Sequence, residues 1–120
     1  MSYHITHSEH YILIEPEFDY FEVEDLDEII DHILGDFSEV RHVIFYLGNL
    51  DYFNADDIEQ LEFMNGELNV KSGYLLLVST SDSIMEQLKD KILISPSIED
   101  AIELVNSECL DQELFSEDNL

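Results

Sequence analysis

The chain has 120 residues, 45% of them apolar with seven Phe and six Tyr, which is the size and composition of one domain around one buried core. It carries 29 acidic residues against four basic ones, a formal net charge of -25, and residues 1–40 hold no Lys or Arg. A charge of that size repels phosphate backbones and anionic headgroups, so direct nucleic-acid binding and membrane-surface binding are disfavoured, while a basic protein partner is attracted and steered. The plainer reading of the same charge is a solvating coat. Apolar runs such as Tyr74 to Val78 are far too short to span a membrane. The opening "MSYHITHSEH" has no basic region followed by an apolar core, so no signal peptide is expected. The single Cys109 cannot form an internal disulfide, and a cytoplasmic location is expected.

In chain order, Tyr3 to His7 and Tyr11 to Ile14 read as two short strands with Ser8-Glu9-His10 as the turn, and Pro16 ends the second. In "EDLDEIIDHILGDF", Leu26, Ile29, Ile30, Ile33 and Leu34 recur at helical spacing as one apolar stripe, which Gly35 is expected to stop. "HVIFYL", residues 42–47, is β-branched and aromatic without polar alternation, as a strand covered on both faces should be. A helix is predicted from Ala55 to Leu68 with Ile58, Leu61, Met64 and Leu68 inward, Gly66 weakening its last turn. "GYLLLV", residues 73–78, is a second doubly buried strand. Ser81 or Asp82 caps a short helix that uses Ile84, Met85 and Leu88. "KILIS" is the last strand, broken by Pro96, and Ile98, Ala101, Ile102 and Val105 form the final helical stripe. Residues 1–108 are expected to make the single domain and 109–120 an acidic, flexible tail. The order ββαβαβαβα implies an α/β fold, a mixed and mostly parallel sheet of about four or five strands with about four helices.

Four stretches in this order resemble the STAS domain, the fold of bacterial anti-sigma-factor antagonists. "PEFD", residues 16–19, stands where that family has Gly-Glu-Leu-Asp after its second strand. "VIFYLGNLDYFNADDIEQL" stands where it has a strand, a short turn and Asp-Ser-(Ser/Thr)-Gly opening a helix. "KSGYLLLVSTSDSIMEQL" is similar to its Gly-rich turn, apolar strand and following helix, and "ISPSIEDAIELV" to its closing strand and helix. The resemblance covers residues 3–106. It implies a partner-binding regulatory domain whose partner is an ATP-dependent anti-sigma kinase: the unmodified antagonist binds the kinase and frees the sigma factor, and phosphorylation of the motif Ser breaks that complex. Matched position by position, Asn54 takes the place of the Asp, Ala55 that of the acceptor Ser, Asp56 that of the next hydroxyl and Asp57 that of the Gly. The pattern departs at all four, and Ala55 has no hydroxyl to phosphorylate.

A helix start presents unpaired N–H groups and a partial positive charge, the field in which a phosphoserine would sit. Asn54 can cap such a start, and Asp56 and Asp57 already occupy its first turn, so fixed negative charge stands where the family adds it reversibly. Ordinary capping explains the two Asp residues equally well. It does not explain the missing Ser. The partner-binding surface expected from the resemblance comprises Glu17, Phe18 and Asp19 in the loop after the second strand, with Asn54, Ala55, Asp56, Asp57 and Gln60 at the helix start. The expected partner is a regulatory protein, an anti-sigma kinase-like protein in kind, with a basic contact surface, bound by a monomer or weak dimer.

Other constellations carry less. Ser79, Thr80, Ser81, Asp82 and Ser83 follow a buried strand, where α/β folds place ligands and where turn and cap chemistry also places hydroxyls. One of them is a conceivable substitute phosphate acceptor. His4, His7 and His10 are three apart, which alternates faces on a strand and suits metal ligation poorly, and His32 and His42 have no spaced partners. No catalytic set, phosphate-binding glycine loop or EF-hand pattern is present, so no enzyme activity, cofactor or metal is expected. Two alternatives remain open: a small-ligand or lipid-handling STAS-like module of a transport system, and an acidic decoy that imitates nucleic acid.

Overall fold

A computed structural model of the chain describes residues 3–16, 26–36, 41–48 and 50–107. Strands β1 (Tyr3–His7) and β2 (Tyr11–Pro16) form an antiparallel hairpin whose turn is closed by the Ser8 N–H donating to the Tyr11 carbonyl at 2.9 Å. Helix α1 (Leu26–Asp36) follows, then β3 (His42–Tyr46), helix α2 (Ala55–Val70), β4 (Tyr74–Val78), helix α3 (Asp82–Leu88) and β5 (Leu93–Ser95). A last helix, α4, covers residues 98–107. Among the described residues five strands form one sheet in the order β1-β2-β3-β4-β5, parallel from β2 onward. This is the α/β arrangement and element order expected from the alternation of apolar strands and helical stripes.

Alternation along the strands divides the core into two layers. Ile12 and Ile14, Val43 and Phe45, and Leu75 and Leu77 face α1, α2 and α3, which bring down Leu26, Ile29, Ile30, Ile33, Leu61, Met64, Leu68, Ile84 and Leu88. Leu13, Ile44, Leu76 and Val78 face the other way and meet Ala101 and Val105 of α4. Strands buried on both faces explain why 42–47 and 73–78 show no polar alternation.

Two helix boundaries differ from expectation. Gly35 does not stop α1, which continues to Asp36. A Cβ at Gly35 would meet nothing, so this glycine carries only a propensity penalty of about 1 kcal/mol, which the helix tolerates for one residue more. Helix α2 likewise passes Gly66 and Leu68 to end at Val70 in a Schellman turn. There the Gly73 N–H donates to the Leu68 carbonyl at 2.9 Å and the Ser72 N–H to the Asn69 carbonyl at 3.0 Å. Ser72 takes the left-handed conformation, with φ 66°. The adjacent Gly73 is required for another reason: a Cβ there would collide with the Arg41 carbonyl.

Candidate functional site

The stretch that delivers the start of α2 is anchored twice before the helix begins. The Leu47 N–H donates to the Val78 carbonyl at 3.1 Å, continuing the sheet by one bond beyond β3. The ring of Phe53 is then buried, and its backbone is gripped by Gln87 of α3. The Gln87 Nε2 donates to the Phe53 carbonyl at 2.8 Å, and the Phe53 N–H donates to Gln87 Oε1 at 3.0 Å. A side-chain amide thus acts as a strand partner for an isolated loop residue. Nothing local in the sequence announces it, because the two residues are 34 positions apart.

Asn54 follows with extended backbone, φ −83° and ψ 174°, and closes a reciprocal capping box. The Asp57 N–H donates to Asn54 Oδ1 at 2.8 Å, and the Asn54 N–H donates to Asp57 Oδ2 at 3.2 Å. Each arm is worth about 1 kcal/mol of helix stability. Ala55 is the first helical residue and is exposed, as is Asp56. Asp57 is not: it is only 8% exposed, and its carboxylate is turned back into the cap. Of the two first-turn acids, Asp56 alone presents its charge outward, and Asp57 shapes the helix start from within. Gln60 is half-buried one turn further on. Tyr52, 63% exposed in the approach to the cap, adds an aromatic ring that the sequence reading did not single out. Its only local signal was an aromatic in a polar loop. Glu17, Phe18 and Asp19 lie outside the described residues, as do Cys109 and the tail 109–120.

The helix start sits at the edge of the sheet where the parallel strands end, and the charges there have one sign: Asp51 and Asp56 after β3, Asp82 after β4, Glu99 and Asp100 after β5. The four cations lie at the opposite edge. Arg41 immediately precedes β3, Lys71 lies in the turn before β4, and Lys89 and Lys91 lie just before β5. Lys89 reaches Glu86 at 3.6 Å and Lys91 reaches Glu62 at 3.5 Å.

The hydroxyls after β4 serve local structure. Buried Ser79 accepts from the Ser81 N–H through Oγ at 3.0 Å, and Ser81 caps α3 by accepting from the Ile84 N–H at 3.3 Å. Thr80 and Ser83 are exposed. His42, 1% exposed, packs edge-on against the Tyr74 ring at 4.5 Å, and neither of its ring nitrogens has a hydrogen-bond partner. Burial first, then the charges of Arg41 and His10, lower its pKa from 6.5 to about 4, so the ring is neutral at pH 7. Among the described residues no three His, Cys, Asp or Glu side chains are grouped to hold a metal ion, and no helix is long and apolar enough to cross a membrane.

No protein-family model matches the sequence, and no curated protein matches it. Solved structures do match the fold. The NMR structure of the protein TM1081 superposes with a TM-score of 0.68 at 12% identity, over 85% of this chain and 86% of that one. The anti-sigma factor antagonist SpoIIAA in its unphosphorylated form superposes with a TM-score of 0.65 at 15% identity, over 87% of this chain and 97% of that one. The Bacillus cell fate determinant SpoIIAA in its phosphorylated form gives 0.60 at 16% identity, over 86% and 98%. Among the described residues, a hairpin leading into a parallel sheet, three helices on one face and one on the other, with a capped helix start exposed at the strand ends, make this chain a STAS-like domain in fold.

Proposed function

We propose that the chain is a non-enzymatic regulatory interaction domain of the cytoplasm that binds a protein partner at the exposed start of α2, without a phosphoacceptor. The observation that carries this reading is the closed cap around an outward-facing Ala55. At the position matched to the family's acceptor Ser there is a methyl group, and beside it Asp56 supplies permanent negative charge. Tyr52 and Ala55 offer apolar contact, Asp51 and Asp56 offer charge, and Gln60 extends the surface along the helix. The 17–19 segment is included by resemblance. A partner matched to this surface has a basic contact face, since every described charge at that edge is negative.

The exposed carboxylates of α1, α2 and α4 lie on both faces of the sheet, which supports a general coat more than a single phosphate-like strip and so weighs against the nucleic-acid decoy. The test is affinity capture from native lysate with the wild-type chain, Ala55→Arg and Asp56→Lys, at low and high salt. A protein held by the wild type, released by salt and lost in both variants is the expected result. Equal capture by all three chains overturns the reading.

A further inference from the structure

Between α1 and α2 runs a groove of about 210 Å³ lined by Asp27, Ile30, Asp31, Glu59, Gln60 and Phe63. Phe63 is 57% exposed, although α2 already fills the core with Leu61, Met64 and Leu68. Its ring therefore contributes little to the fold and stands as one wall of the groove, with Ile30 beneath. Asp27 and Asp31 are one turn apart on α1, Glu59 and Phe63 one turn apart on α2. Three of the six lining residues are carboxylates, and none is a cation.

We infer that this groove receives a cationic amphipathic helix of a protein partner, with an apolar side chain against Phe63 and Ile30 and flanking Lys or Arg against Asp27, Asp31 and Glu59. A channel between two helices fits a third by ridge-and-groove packing, and an exposed ring in such a channel is the usual anchor of such a contact. Charge selects the occupant. The chain's own ends cannot fill the groove by this chemistry, because residues 1–40 and 92–120 contain no Lys or Arg. A second copy is a poor fit as well: its cations lie immediately before β3 and in the turns before β4 and β5 and not along a helix face, and its net charge repels the first copy. The inference rests on the proposed interaction role and names the partner element. Phe63 lies about 12 Å along the helix axis from Ala55, and Gln60 belongs to both surfaces.

The experiment titrates the full chain with a labelled Leu/Lys peptide that forms an amphipathic helix and with a scrambled peptide of the same composition, followed by fluorescence anisotropy. The expected result is salt-sensitive binding of the amphipathic peptide, well above the scrambled one. Phe63→Ser should weaken it roughly tenfold, and Asp31→Asn with Glu59→Gln several-fold. Phe63→Leu should keep most of the affinity, and unchanged melting curves should show the variants folded. Equal binding of both peptides, or indifference to Phe63→Ser, overturns the inference. So does a wild-type dimer in sedimentation velocity that Phe63→Ser abolishes, since the occupant is then a second copy. Glu103→Gln, exposed on α4 at the other face of the sheet, should leave peptide affinity unchanged. Failure at the groove with the Ala55 and Asp56 capture result intact removes this inference alone, and the reverse outcome removes only the junction reading.

Discussion

The two edges of the parallel sheet are built from the same strands and have opposite characters. The edge where β3, β4 and β5 begin holds the four cations, the left-handed Ser72 and the close approach of Gly73 to Arg41, with His42 buried just inside. The edge where they end holds capped helix starts, exposed carboxylates and an aromatic ring in solvent. The first edge is rich in steric constraint. The second is rich in uncompensated charge held on a rigid frame. Constraint of the first kind serves the fold, whereas charge of the second kind carries a stability cost from self-repulsion.

If that division is right, substitutions at the opening edge should damage folding most. Gly73→Ala should show the largest effect, a loss of more than about 3 kcal/mol or failure to fold, because the Cβ meets backbone and not a mobile side chain. Thermal or urea unfolding measures it. A loss below about 1 kcal/mol would mean that the turn yields and the edge is less constrained than described.

His42 gives the next largest effect. Its pKa is lower in the folded chain than in the unfolded one, so the unfolded chain binds more protons between the two values. Stability from this group is complete above pH 6.5 and is lost as pH falls from 6.5 toward about 4. The loss is on the order of 3 kcal/mol. The groups around it are Arg41 and His10, which oppose its protonation, with Tyr11 and Tyr74 as its strand neighbours. His42→Phe should flatten the pH dependence of urea unfolding over that window, and an unchanged slope would locate the titration elsewhere.

At the closing edge Gln87→Ala should cost about 2 kcal/mol through two lost hydrogen bonds. It should also speed amide exchange at Phe53 more than at β4. Asn54→Ala should cost about 1 kcal/mol through the cap, and Asp56→Asn less than about 0.5 kcal/mol. A large stability loss at Asp56 would break the contrast, because that carboxylate would then be serving the fold.

The extent to which these features show in the sequence follows the range of the forces behind them. The Leu26-to-Ile33 stripe, the strands around Phe45 and Leu77 and the Asn54 cap depend on local spacing and are legible. Gly35 misleads because a propensity penalty is small beside the burial of Ile29, Ile30 and Ile33. The Gln87 clamp, the inward turn of Asp57 and the outward ring of Phe63 depend on which element packs next to which. No periodicity reports that. The second-strand loop with Glu17, Phe18 and Asp19 lies beyond the described residues, and its part in the site stands as a proposal.

A helix start sealed by its own amide and carboxylate, with a methyl group in front, offers no hydroxyl at position 55 by which an enzyme could turn it off and on again. If it is the docking face proposed above, it would be competent from the moment the chain folds. Its output would then be metered by how many copies the cell makes and how fast it destroys them.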